Sequence, residues 1–433
     1  MGRLMPVAKG VMYDLDDRET GRNANCLIIG GSGTGKTRSI ISPNILLAYG
    51  SYIISDPKGR LYKEYAGFLQ GNGYVIKKLD FTNPRTSDQW NPLSYLESPE
   101  DCLRLAHVMA WQDSVFKDSF WNESGELVAS SILGLIMDTL PEEKKNLHYY
   151  AKAVAAMRRD QEDGSTACML GRLIDSLPLG HWAREQYNLA KTAPGRTWHS
   201  IAATMAARAR LYSLPGISEM LEADDIGIKD IGKRKTAVFV IVSDTDRTMD
   251  PLANLFFGEA MRILTQEADK TIDGRLPVPV RFILDDFASS VTISGFPEMI
   301  SSIRSRRISI MAAIQAEAQI MARYGTDWRT IEGNCDTIIY LGGADLETAR
   351  TVAARAGKGL REILNMQPGR CWIFRRGEEP REAELWNLEE WMESRHIELQ
   401  PLKAEGSEWL REALSFMTEE EKEEQNGQKD QED

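Results

Sequence analysis

Residues 27–39 read LIIGGSGTGKTRS, a short apolar run, a glycine-rich turn, then a lysine and a threonine. Gly30, Gly31, Ser32, Gly33, Thr34, Gly35, Lys36 and Thr37 satisfy G-x-x-x-x-G-K-[ST] at every fixed position, between a strand-like and a helix-like segment. Glycines there let successive backbone N–H groups turn inward around phosphate oxygens, and the helix start adds a favourable field. Lys36 would meet the β- and γ-phosphates of ATP, and the Thr37 hydroxyl would ligate magnesium. The plainer reading is an ordinary glycine turn, but motif and context together favour the nucleotide.

Outward from the loop, CLIIG, YIIS and YVIKKL read as buried-type strands separated by helices, one of which runs from Lys36 towards Ala48. That alternation implies a parallel sheet with helices on its faces. Across residues 101–232 strand-like runs nearly vanish and helical stretches such as ESGELVASSILGLIMDTL take over. The alternation resumes with TAVFVIVS, a helix from Pro251, then RFILDD, ISIMAAIQ, DTIIYLGG and RCWIFRR. The expected architecture is one α/β nucleotide-binding domain, residues 1–100 and 233–395, split by an all-α domain over 101–232. Residues 396–433 form a C-terminal segment ending in an acidic tail expected to be disordered.

A magnesium nucleotide needs a carboxylate at a neighbouring strand end, and RFILDDFAS supplies Asp285 and Asp286. Asp285 would hold magnesium and Asp286 would polarise the attacking water; the competing reading is a pair of solvated turn residues. Gln315 ends the next strand, where it would sense the γ-phosphate or simply begin the following helix. Just before that strand, Arg304, Arg306 and Arg307 could offer a bidentate phosphate contact to a neighbouring subunit, or form a solvated basic helix end.

Composition sets bounds. The chain has 433 residues, 42% hydrophobic and 27% charged, which suits a large globular core. Its net charge of −12 argues against an outer surface that coats nucleic acid. Residues 418–433 carry eight acidic and two basic residues, half of that charge, so a local basic channel is compatible with the rest. The tail reads as a solvated segment or as a docking handle for basic partners. Five scattered cysteines without zinc spacing indicate free thiols in a reducing compartment. No signal peptide is visible, and VASSILGLIMDTL is too short to span a bilayer.

GSGTGKT, SDPKGRLYKEYAGFL, FWNESGELVASSIL, SDTDRTMDPLANLFF, LDDFAS, QAEAQIMARYG and NCDTIIYLGGADLETA follow one another in this order. Together they resemble the coupling proteins of type IV secretion and conjugation, the TraG-like DNA-translocating ATPases, over residues 23 to 391. The resemblance implies a RecA-like P-loop motor domain with an inserted all-α domain, and a hexameric ring with ATP and magnesium bound between subunits. It further implies that the ring couples a relaxase–DNA or other protein substrate to a secretion channel. By the same resemblance Lys36 and Thr37 are the phosphate-loop pair, Asp285 the magnesium aspartate and Gln315 the glutamine of the third motif. Arg304, eleven residues before Gln315, takes the place of the arginine acting in trans. The helical segment would face the cytoplasm and incoming substrate.

Three departures shape the expectation. Asp286 stands where the family usually has glutamate, one methylene longer, so turnover is expected to be slow. Arg60 replaces a common acidic residue in DPKGR, leaving Asp56 and Lys58 without an assigned role. The usual N-terminal membrane helices are missing, so the chain is expected to be cytoplasmic, docked at the inner membrane face through a partner, or trimmed from a longer protein. A conjugative coupling ATPase is the leading reading, with sequence-independent DNA contacts near Lys233, Arg234, Lys235, Arg304 and Arg307. An ATP-binding receptor or adaptor that does not pump and an FtsK-like DNA translocase are the alternatives.

Overall fold

The computed structural model describes residues 3–111, 119–157, 168–193, 195–289 and 291–403. The acidic tail lies outside the described residues. Nine strands form one sheet: β3 (Cys26–Ile29), β4 (Ser51–Asp56), β5 (Val75–Asp80), β6 (Thr236–Ile241), β7 (Val280–Leu284), β8 (Ile308–Ile314), β9 (Thr337–Tyr340), β10 (Arg370–Arg375) and β11 (Arg381–Glu384). Two earlier strands, β1 (Leu4–Ala8) and β2 (Val11–Asp14), make a separate antiparallel hairpin. In space the large sheet runs β11-β10-β9-β3-β8-β7-β4-β6-β5. β9 through β5 in that order are parallel, whereas β10 and β11 turn back antiparallel at one edge.

The strands read as unbroken apolar runs because helices cover both faces. Alternate side chains divide between two cores. Leu27, Ile29, Phe282, Leu284, Ile310 and Ile314 face one, and Ile28, Ile54, Phe239, Ile283, Met311 and Ala313 face the other. The second face is closed by the helix that opens at Lys36, through Ile40, Ile41 and Ile45, and by the helix Arg60–Gly71, through Leu61, Tyr65 and Phe68. The helix from Lys36 runs towards Ala48, as the sequence suggests. It opens with a π turn over Lys36–Ile41, continues as α over Ser42–Leu46, and stops where Ala48 takes φ +52°.

The first face carries the long helix Asp250–Asp269 and the helical region. Its described elements include helices Pro99–Ala110, Ser119–Thr139, Leu147–Ala155, Trp182–Ala190 and Gly195–Ala209. Ser98 starts the first of these by accepting the Asp101 N–H, with Pro99 set at the opening turn, a standard helix entry. Ser119–Thr139 is apolar on most sides because its neighbours surround it, not because it crosses a bilayer. No helix among the described residues is long and apolar enough to do so. The buried core runs without a break from the sheet into these helices.

After β11 the chain passes helix Leu388–Ser394 and crosses helix Arg60–Gly71 at Gly67. A Cβ there would lie 2.0 Å from the Gln400 carbonyl oxygen. The crossing is fastened by Gln70, whose side-chain amide donates to the Lys403 carbonyl and accepts the Lys403 N–H, at 3.0 and 2.9 Å.

Candidate nucleotide site

The loop at the end of β3 is held on both sides by its neighbours in the sheet. Gly30 N–H donates to the Ile314 carbonyl of β8 (3.1 Å), and Gly31 N–H to the Gly342 carbonyl beyond β9 (2.9 Å). Gly30 is obligatory for space: a Cβ would sit 2.6 Å from Thr34 Oγ1 and 3.0 Å from Leu341 Cβ. Gly33 and Gly35 are obligatory for conformation, at φ +76° and +95°. Thr34 closes the turn by donating its hydroxyl to the Gly31 carbonyl (2.9 Å), while Ser32 at the tip is exposed.

Lys36 is buried, and its Nζ donates to the carbonyls of Gly30 (2.6 Å) and Gly31 (3.0 Å). The ammonium therefore lies inside the curl of the loop, where phosphate oxygens of a nucleotide would replace those carbonyls. Burial pulls its pKa down, opposed by the negative charges of Asp286 and Asp285.

Asp285 arrives from β7, two strands away, with β8 between. The parallel register brings the C-terminal ends of all three strands to one edge of the sheet. There Thr37 Oγ1 donates to Asp285 Oδ2 at 2.8 Å. Burial pushes the Asp285 carboxyl up to about 6; the Thr37 hydrogen bond and Lys36 pull it back, and the charge of Asp286 pushes further. Ser55 of β4 donates to the Asp285 backbone carbonyl (3.4 Å) and helps fix the strand end. A hydroxyl and a buried carboxylate in hydrogen-bond contact are hard oxygen donors that suit magnesium, which takes few protein ligands and completes its shell with phosphate and water. A divalent ion would relieve the burial that disfavours ionised Asp285, so these residues fit the group.

Asp286 adopts φ +52°, a left-handed conformation that aspartate tolerates better than most side chains. Gln315 directly follows Ile314, the residue bonded to Gly30, and its backbone N–H donates to Gln319 Oε1 (3.0 Å). The helix that follows is entered at Ala316, so Gln315 is not its cap. Lys36, Thr37, Asp285, Asp286 and Gln315 thus converge on one edge.

Arg304 does not join them. It precedes β8, at the far end of a seven-residue strand spanning about 20 Å. There it lies beside Asp17, with Nε 3.8 Å from the carboxylate and Nη2 donating to the Asp17 carbonyl (3.3 Å). Arg306 is engaged by Asp269 through two hydrogen bonds, and Arg307 donates to the carbonyls of Leu276 and Pro277. Lys233 pairs with Asp230 and Glu267, Arg234 with Asp230, and Lys235 donates to the Ala48 carbonyl.

Two contributions escape the sequence reading. The LGG loop after β9, noted only as a motif, supplies the Gly342 carbonyl and the wall against Gly30. Asp56 of DPKGR serves the fold: its carboxylate accepts the N–H groups of Arg60 (3.0 Å) and Tyr62 (2.9 Å) and starts the helix Arg60–Gly71. Lys58 meets Asp244 at the surface (3.1 Å).

The family profile described as type IV secretory system conjugative DNA transfer matches residues 6–363. The chain belongs to that family. Within it, the chain is 23% identical over 341 residues to the conjugal transfer protein TraG of Escherichia coli, covering 70% of this chain and 50% of TraG. It is 20% identical over 349 residues to VirD4 of Rhizobium radiobacter, covering 78% and 48%. The chain spans about half the length of these curated relatives. In three dimensions this family member is similar to the bacterial conjugative coupling protein TrwBdeltaN70 in a trigonal form with sulphate, at TM-score 0.69 and 13% identity over 88% of this chain and 89% of that one. TrwB in complex with ADP and magnesium gives TM-score 0.67 at 13% identity over the same shares. VirB4 of Thermoanaerobacter pseudethanolicus gives 0.54 at 12% identity over 89% and 96%. The fold is therefore a RecA-like P-loop α/β domain with an all-α insertion.

Proposed function

We propose that this chain is the motor portion of a type IV coupling protein, an ATPase that recruits a relaxase–DNA or other protein substrate and drives it towards a secretion channel. The observation that carries the reading is the hydrogen bond between Thr37 and Asp285, residues 248 apart in sequence, beside a buried Lys36. ATP would lie along residues 30–37 with its terminal phosphates on Lys36. Magnesium, held by Thr37 and Asp285, would supply electrostatic stabilisation of the transferring phosphoryl group. Asp286 would accept the proton of the attacking water, and Gln315, beside the terminal phosphate, would position that water.

Arg304, across the sheet from its own loop, would serve the nucleotide of the next subunit in a ring, the hexamer expected of this family. Its contacts within the chain are long, 3.8 and 3.3 Å, and its side chain is 40% exposed. The helical region 101–232 would be the unit that meets substrate. DNA contacts would be sequence-independent and confined to the ring's lining, which suits an acidic chain. The ring would work from the cytoplasmic face of the membrane, docked through a channel partner.

The test is steady-state ATP hydrolysis against protein concentration, with and without single-stranded DNA at low salt. A steep rise with concentration, DNA stimulation and loss on Lys36→Ala are expected; turnover indifferent to DNA would refute the pumping role. One observation favours a second reading, an ATP-binding adaptor that holds a relaxase without processive pumping: the short Asp286 side chain sits on a left-handed backbone. Tight nucleotide and relaxase binding with negligible turnover would select it.

A further inference from the structure

At the end of the sheet opposite the phosphate loop, a cleft of about 260 Å³ opens between the starts of β7 and β8 and the segment leading into β3. Five arginines and three aspartates line it, together with Tyr49 and Ser309. Two of the arginines are neutralised in place: Arg275 by a two-pronged contact with Asp17, and Arg18 by Asp273. Arg304 shares Asp17 from the rim.

Arg281 is different. It projects from β7 to the second face of the sheet, opposite its neighbours Val280 and Phe282, and is only 6% exposed. Its guanidinium donates to Asn44 Oδ1 (3.2 Å), the Ala24 carbonyl (3.3 Å) and Ser309 Oγ (3.3 Å), all neutral and all near the long end of hydrogen-bond range. Burial pulls its pKa down, and among the described residues no carboxylate forms an ion pair with it. Three acceptors leave two of its five N–H donors to be satisfied. A charge this deep with no counter-ion among the described residues is strongly unfavourable, and arginine does not escape by losing its proton. Arg307 adds a second guanidinium to the lining, answered among the described residues only by backbone carbonyls, on a residue held at φ +59°.

We propose that this cleft is a second anion site, taking phosphate, free or as the terminal group of a phosphate ester, with Arg281 at its base and Arg307 at its side. A tetrahedral oxyanion supplies the missing negative charge and enough acceptor oxygens for both guanidinium forks. The inference uses none of the phosphate-loop residues and stands apart from the ATPase reading.

Calorimetric titration of inorganic phosphate into the Lys36→Ala chain at low salt tests it. One equivalent is expected to bind, and Arg281→Met in that background, which keeps the volume and removes the charge, is expected to weaken binding at least about tenfold. Phosphate held at the nucleotide loop would be indifferent to Arg281→Met. Competition by ADP would assign the site to an ester's terminal phosphate, and lack of competition to free phosphate. Equal affinity in the two chains, or no binding up to roughly 10 mM phosphate, would overturn the proposal. If Arg281→Met does not fold by circular dichroism, Arg307→Gln decides instead: weakening of about threefold or more supports the site and unchanged affinity overturns it.

Discussion

Asp285 illustrates how one side chain can tie chemistry to acidity. Burial holds its carboxyl up near 6, so it carries its charge, and its affinity for a divalent ion, only above that range. For the proposed hydrolysis, kcat/KM at low magnesium should fall on the acid side, with a midpoint that moves down from about 6 as magnesium is raised, and Asp285→Asn should remove activity while leaving the fold intact. A profile flat from about pH 5 to 8 would contradict it. Glu317 presents the same physics. Buried near Glu332 and bonded by Thr351, it is pushed up to about 7 by burial and then by the Glu332 charge. A carboxyl raised in the folded state contributes fully below its ordinary value near 4.5, and that contribution is lost as pH climbs through about 7. Thermal unfolding of the nucleotide-free chain should therefore show a loss of Tm over that interval that is smaller in Glu317→Gln. Asp285 was legible in the sequence because an apolar strand ending in paired carboxylates is a local pattern. Glu317 was not, because its environment is assembled from helices that meet only in the folded chain.

Among the elements, the phosphate loop depends on β9 as much as on its own glycines. Gly30→Ala should disturb the Leu341 contact, reduce nucleotide affinity sharply and destabilise the chain by about 1–3 kcal/mol, measured by urea unfolding. An unchanged midpoint and affinity would show that the loop can shift to make room. Eight of the strands were readable from apolar runs, since strands covered on both faces leave that signature. The hairpin β1–β2 and the edge strand β11 were not. LMPVA carries a proline beside the register slip between Pro6 and Ala8, and REAE is almost wholly exposed. Charged residues on an edge hinder pairing with other chains and, by the same token, hide the strand from a search for hydrophobicity. The antiparallel direction of β10 was equally hidden, because an apolar run does not state which way it points.

At the scale of the whole molecule, the separation of Arg304 from Lys36 by the length of β8 makes assembly the central issue. If sites are completed between copies, Lys36→Ala and Arg304→Ala should each be inactive alone. An equimolar mixture should regain hydrolysis, because about one interface in four then joins an intact loop to an intact arginine. Two inactive proteins that stay inactive when mixed would remove the trans role. The crossing at Gly67 has a consequence of another kind. Since only a hydrogen atom fits between helix Arg60–Gly71 and residues 400–402, a single methyl at that point is a wedge. Gly67→Ala should peel the carboxyl-terminal strap from its seat while the sheet and nucleotide edge stay as they are, visible as new protease cutting near Lys403. The contact at Gly67 is thus a place where residues 400–403 can be loosened without touching the nucleotide edge.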